Sequence, residues 1–405
     1  MPIAECEKLT AYKLNDSMAH RFIDSTTKSP KSRLAFIDLL RGWALLVMIE
    51  VHVFNTFILP EIKTTSWFGA LNFINGLVAP SFTFISGFVF LLASQKKLES
   101  FRTFGSAFWK QLGRIGLVWT VGYYLHLPFI SLHRMITETT EAGWLRFYQA
   151  DVLHCIAFGL LLLFLSRLLI RNDRIYKTFL FSSGLIVVLA TKFIWDLDFL
   201  KWLPAPIAAY MNSQHYSFFP LFPWLAFMLF GGYFATGYIT AREQQREKDF
   251  ILRFALIGAI IFAVCVIMMK LPVGFHVGSY DVRANTWFFF ERIGIVILLL
   301  TICWFYAEYR KTEKSFVLDV SRESLIVYAA HLLVIYGQFW NERSLSFFYG
   351  KTFSISECVA GTIILTLLMI AAAIVWGWLK RNHLPLARVM FWMFFGTTAI
   401  MFMIW

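Results

Sequence analysis

The chain has 405 residues, of which 58% are hydrophobic and 18% aromatic but only 15% charged, where a soluble domain carries nearer a quarter. That leaves too little polar surface to cover a globule in water, and the apolar residues arrive in blocks of about 17 to 25, the length of a bilayer-spanning helix. A soluble fold is excluded, and the net charge of +12 has to be explained within a membrane protein.

The polar stretch 1–32 has no apolar core and no small-residue cleavage site, so it reads as a cytoplasmic tail rather than a signal peptide. Residues 33–405 read as one transmembrane domain, an all-α polytopic bundle of about eleven helices. The expected spans are 36–59, 68–93, 106–130, 152–170, 177–195, 218–240, 251–272, 285–306, 323–341, 356–380 and 385–405. Connections are short, and no internal repeat or low-complexity tract interrupts them. With alternating spans, the tail, the inner end of the first span and the even-numbered connections hold 27 of the 37 Lys and Arg, and the odd-numbered connections hold the other 10. This is the positive-inside pattern, with the N-terminus in the cytoplasm and the C-terminus outside. Orientation and attraction to anionic lipid account for the positive charge, and no nucleic-acid partner is needed to explain it.

Ionisable groups inside spans are costly and mark candidate sites, although structural ion pairs compete as an explanation. The first span carries Asp38, Arg41, Glu50 and His52. Asp38 and Arg41 are three apart and can pair on one face, a role that is as readily structural as functional. Arg41 and His52 are about three turns apart, so one helix places a cation near the cytoplasm and an imidazole roughly 16 Å further out, on much the same face. Pro80, Pro220 and Pro223 within expected spans free backbone carbonyls that need partners or a cavity. Asp151 and His154 fall in the first turn of the fourth span, entering from outside. Asp281, Arg283, Glu291 and Arg292 read best as ion pairs fixing the bundle. His331 lies in the ninth span. A lone intramembrane histidine is commonly a packing residue, but His52, His154 and His331 at similar depth, with Asp151 beside one of them, point to a site. The five cysteines, Cys6, Cys155, Cys265, Cys303 and Cys358, have neither metal-ligand nor disulfide spacing and read as small buried hydrophobes. Trp224 could line a glycan site, while most of the 15 Trp are expected in interfacial or lipid-facing positions.

Five segments, in order, resemble a known family. The run RLAFIDLLRGWALLVMIEVH (33–52) is similar to the opening of multi-spanning membrane acyltransferases, the heparan-α-glucosaminide N-acetyltransferase-like proteins and their bacterial relatives. APSFTFISGF (79–88), DVLHCIAFG (151–159), FPLFPWLAFMLFG (219–231) and SRESLIVYAAH (321–331) resemble their later signatures. The spacing from Arg41 to His52 is also that of the broader acyltransferase family three, in which both residues are needed for O-acyl transfer. In the lysosomal branch the proposed catalytic histidine lies in the first outer loop, with Asn at the place of His52. Here the corresponding loop reads Thr64-Thr65-Ser66-Trp67, so His52 becomes the candidate.

The resemblance implies an integral enzyme of a bacterial inner membrane. It would move an acetyl or other acyl group from cytoplasmic acyl-CoA to a hydroxyl or amine of an extracytoplasmic glycan or lipid-linked acceptor. No metal is expected; membrane lipid is a partner and oligomerisation stays open. Arg41, Arg114 and Lys110 are the candidate cations for the anionic end of the donor, guanidinium groups being good phosphate ligands. His52, His331, Asp151 and His154 are the candidate catalytic groups, with a neutral imidazole acting as general base or becoming acylated itself. Two other classes remain. A transporter or flippase for a small polar or glycolipid substrate would also hold polar groups at mid-depth, and a non-catalytic assembly protein would not need them.

Overall fold

A computed structural model describes residues 34–270, 282–310, 315–337 and 344–404. The tail, Cys6, Asp281 and the end of the expected ninth span lie outside the described residues. The described chain is helical, and its extended pairing is a single bridge between Ile58 and Phe353. The first helices are α1 (Ala35–Phe57), α2 (Ser66–Asn75), α3 (Val78–Ser94), α4 (Ser106–Leu125), α5 (Val152–Leu169) and α6 (Asp173–Trp195). They are followed by α7 (Leu221–Glu243), α8 (Glu247–Lys270), α9 (Thr286–Arg310), α10 (Phe316–Arg322), α11 (Ser324–Tyr336), α12 (Ile355–Asn382) and α13 (Leu384–Ile404).

Each expected span coincides with one of these helices or a consecutive pair. Among the described residues, eight segments are long and apolar enough to cross a bilayer, with Ser66–Arg102 taken as one. The others are α1, which carries Asp38, Arg41 and Glu50, α4, which carries Lys110 and Arg114, and α11, which has only 13 residues.

The second expected span is not one straight helix. It breaks at Gly76 and Leu77, leaving α2 and α3. Pro80 consequently sits in the first turn of α3, where its missing N–H is tolerated, and not in mid-helix. Pro220 is the N-cap of α7 and Pro223 lies in its first turn, with Phe222 between them in an extended conformation, as a residue preceding proline prefers. The freed Phe222 carbonyl accepts a 2.8 Å hydrogen bond from Trp195 Nε1, so these prolines shape a helix entrance and open no gap in a span.

Lipid is as apolar as a helix surface, so helices in a bilayer associate through close packing of small residues. The α3–α7 contact is built this way. A Cβ on Gly87 would lie 2.0 Å from the Met228 carbonyl oxygen, and one on Gly231 would lie 2.0 Å from that of Phe84. Both glycines belong to the segments 79–88 and 219–231, whose pattern thus encodes a backbone-to-backbone crossing. Phe84, Phe88, Phe227 and Phe234 fill the space around it and are fully buried. At the periphery, α8, α12 and α13 bury least.

Candidate active site

Four histidines, one carboxylate and two tyrosines gather where α1, α5 and α11 meet the end of α4. Asp151 is the N-cap of α5: its Oδ1 accepts the Val152 N–H at 2.6 Å, and its own N–H donates to His154 Nδ1 at 3.2 Å. Asp151 and His154 therefore form a capping box, which satisfies the exposed donors of the helix start. The remaining carboxylate oxygen, Oδ2, accepts from Tyr328 Oη on α11 at 2.8 Å. His126, just after α4, approaches the same oxygen with Nε2 at 3.5 Å, outside hydrogen-bond geometry. The Gln149 side-chain amide donates to His126 Nδ1 at 2.9 Å, which leaves the neutral ring's proton on Nε2, facing Asp151.

His331 is one turn along α11 from Tyr328. Its Nδ1 lies 2.8 Å from the Val327 carbonyl oxygen. A carbonyl only accepts, so Nδ1 carries the proton and Nε2 keeps a lone pair. That Nε2 is buried without a hydrogen-bond partner among the described residues. The His52 ring, on α1, lies 5.3 Å from the His331 ring, and its Nδ1 is 3.2 Å from Tyr336 Oη, which is held in turn by Thr56 Oγ1 at 2.8 Å. His154 is oriented the opposite way from His331: Nδ1 accepts, so its proton sits on Nε2, also buried and unpartnered. Gly122 makes room for this ring, since a Cβ there would lie 3.0 Å from His154 Cε1.

A cavity of about 380 Å³ opens onto the cluster. His52, Asp151 and Tyr328 line it together with Asn75, Trp224 and Arg292. The break between α2 and α3 forms part of its wall, as Gly76 does. Trp224 Nε1, Asn75 Oδ1 and Arg292 Nε are buried without hydrogen-bond partners among the described residues. Arg292 keeps the structural role expected of it, 3.6 Å from Glu291, hydrogen-bonded to the Phe73 carbonyl and stacked on the Phe73 and Phe288 rings, while also forming part of the cavity. A second, apolar cavity of about 470 Å³ runs along α1 past Leu40, Trp43 and Val47 and shares Val78 with the first.

The structure thus brings His52, His331 and Asp151 to one place and puts His154 directly behind Asp151. The expected donor cations are not gathered in the same way. Arg41 binds Asp38 at 2.6 Å and Ser321 Oγ at 2.9 Å, tying α1 to α10, whereas Lys110 and Arg114 stand exposed on α4. Sequence inspection passed over His126, Tyr328 and Tyr336. Tyr328 had a usable signal, since it precedes His331 by three residues within a recognised segment. His126 had one too, since it falls inside the expected span 106–130 and so meets the same criterion as His52 and His331.

Residues 33–259, more than half of the chain, match the family described as heparan-alpha-glucosaminide N-acetyltransferase, catalytic. The chain belongs to that family. It is a membrane acyltransferase by this membership and by its apolar helices. The matched region contains α1 to α7, with His52, Asp151 and His154; Tyr328 and His331 lie beyond it on α11. No curated protein sequence matches the chain. Among the described residues no cluster of His, Cys, Asp and Glu could hold a metal ion, and the described cysteines Cys155, Cys265, Cys303 and Cys358 are free.

Proposed function

We propose that this protein transfers an acyl group, acetyl in the simplest case, from cytoplasmic acyl-CoA to a hydroxyl or amine of a glycan-type acceptor on the outer side of a bacterial inner membrane. The observation that carries this reading is the pair of imidazoles with ring centroids 5.3 Å apart, His52 on the wall of the cavity and His331 buried behind it, in a chain of an acetyltransferase family. An imidazole lone pair takes the proton of the acceptor O–H or N–H as that atom attacks the thioester carbonyl. The C–S bond breaks, and the coenzyme A thiolate leaves and is reprotonated by the imidazolium. His52 is the group we assign to this role, because it faces the cavity directly; His331 and Asp151 support it. Acylation of His52 followed by transfer to the acceptor is the two-step version of the same chemistry. The indole N–H of Trp224 and the Asn75 side-chain oxygen, unpartnered among the described residues, would hold sugar hydroxyls. The apolar cavity along α1 supports a route for the pantetheine arm, which would bring the thioester outward to His52 while Arg41, Lys110 and Arg114 remain at the donor's phosphate end.

In this proposal the eleven helical segments all cross the bilayer, the tail 1–32 is cytoplasmic and residues 33–405 act as one catalytic domain. Reporters fused within 242–248 and after Trp405 should register cytoplasm and exterior respectively; a cytoplasmic signal at both would refute the eleven-span arrangement. Purified protein supplied with labelled acetyl-CoA and a panel of amino-sugar and hydroxyl acceptors should label an acceptor and release coenzyme A. Wild-type protein that binds no acyl-CoA would instead favour transport of a polar or glycolipid substrate.

A further inference from the structure

At the end of the bundle formed by the start of α11, the end of α12 and the start of α13 lies a groove of about 350 Å³. Its lining holds three cations, Arg322, Lys380 and Arg388, against one carboxylate, Glu323. Glu323 is occupied by Lys380 at 2.7 Å, and Arg322 is 3.3 Å from Asp319. Arg388 is exposed and makes no ion pair among the described residues. The cations sit at a fixed place relative to the apolar lining. On α12, Trp376 lies one turn inward of Lys380, and on α13, Phe391 and Trp392 lie one turn inward of Arg388. One turn is about 5.4 Å along a helix axis. Both walls therefore present positive charge at the membrane edge and aromatic surface immediately deeper. The groove opens between the two helices that are among the least covered by the rest of the protein, so its mouth faces lipid.

We propose that this groove binds the phosphate of an anionic glycerophospholipid, with the acyl chains lying against Trp376, Phe391 and Trp392. The two-level arrangement fits a molecule with an anion and a hydrocarbon tail in series: fixed cations attract anionic headgroups, and interfacial aromatics seat at headgroup depth. Coenzyme A shares the anion and has a base that stacks on aromatic rings, so it is the competing ligand in the test. The assignment is independent of the acyltransferase reading. It would tie lipid to the root of α11, the helix that carries His331 seven residues beyond Ser324.

The test uses the full chain purified in neutral detergent, with thermal unfolding and native mass spectrometry after adding phosphatidylglycerol, phosphatidylcholine or coenzyme A. Phosphatidylglycerol should bind and stabilise the wild type more than phosphatidylcholine does, and that excess should fall as salt is raised. Arg388→Gln should weaken phosphatidylglycerol about fivefold, the worth of one interfacial cation, with coenzyme A binding unchanged; Arg388→Lys should stay near wild type. An equal response to both lipids, or a salt-insensitive one, overturns the proposal without needing any variant. If Arg388→Gln loses coenzyme A and keeps phosphatidylglycerol, the groove serves the acyl donor and the lipid assignment falls.

Discussion

The two polar clusters of the bundle make an instructive pair. At one end of α1, Asp38 is buried between Arg41 and Ser321, with contacts of 2.6 Å between the charges, 2.9 Å from Arg41 to Ser321 and 3.4 Å from Ser321 to Asp38. Charge is matched by charge and the hydroxyl closes the triangle. At the other end, Asp151 is equally well held, by a tyrosine and by its own helix start, but the imidazoles around it are not. His331 and His154 each keep one ring nitrogen buried and unpartnered among the described residues. Buried polar atoms without partners are costly and uncommon. A cluster that retains them next to a cavity leaves groups available to a ligand, as the proposed function requires, whereas the matched charges of Asp38 and Arg41 tie α1 to α10. The contrast separates the proposed reacting site from a clasp, although each is a buried carboxylate with a basic neighbour.

The sharpest way to break this contrast is at His52. His52→Ala should lower acyl transfer by roughly 10² to 10⁴-fold, the usual cost of losing a general base, with expression, thermal stability and acyl-CoA binding retained. Near wild-type turnover in His52→Ala together with a dead His331→Ala would move the central role to the other imidazole. At the opposite cluster, Arg41→Ala removes the cation 2.6 Å from the buried Asp38 carboxylate and the bond to Ser321, and losing one partner of an ion pair is destabilising in proportion to its burial. The expected result is poor expression or a lowered unfolding temperature, recovered in part by adding Asp38→Asn. A well-folded Arg41→Ala protein that has lost only acyl-CoA affinity would show that its proposed donor contact outweighs its part in the clasp. A smaller effect is expected at Tyr328→Phe, which removes the hydroxyl donor to Asp151 Oδ2. A hydrogen bond to a charged group contributes about 1.5 to 3 kcal/mol, so transfer should fall by about tenfold or more with the fold intact. Unaltered kinetics in that variant would show that Asp151 acts as a helix cap alone.

Much of this architecture could be read from the chain before any coordinates. Block length and low charge were sufficient for an all-helical membrane bundle, because a backbone in lipid must satisfy its hydrogen bonds within each segment. The helix positions followed with small errors at the ends. His52, Asp151 and His331 stood out for a related reason: ionisable groups are rare in apolar helices, so each one carries information. Tertiary structure was needed wherever two helices distant in sequence decide the outcome. That Arg41 reaches Ser321, 280 residues away, and that Tyr328 reaches Asp151, 177 residues away, are facts of packing that no local spacing encodes. The break at Gly76 fell inside one expected span, since hydropathy cannot distinguish a kinked span from a straight one. His126 lay inside an expected span, but its place against Asp151 is set only by the packing of α4 on α5. Composition and periodicity determine which segments enter the membrane, because those are properties of single helices in lipid. Which polar groups are satisfied and which stay open to a substrate is decided only when the helices close on one another.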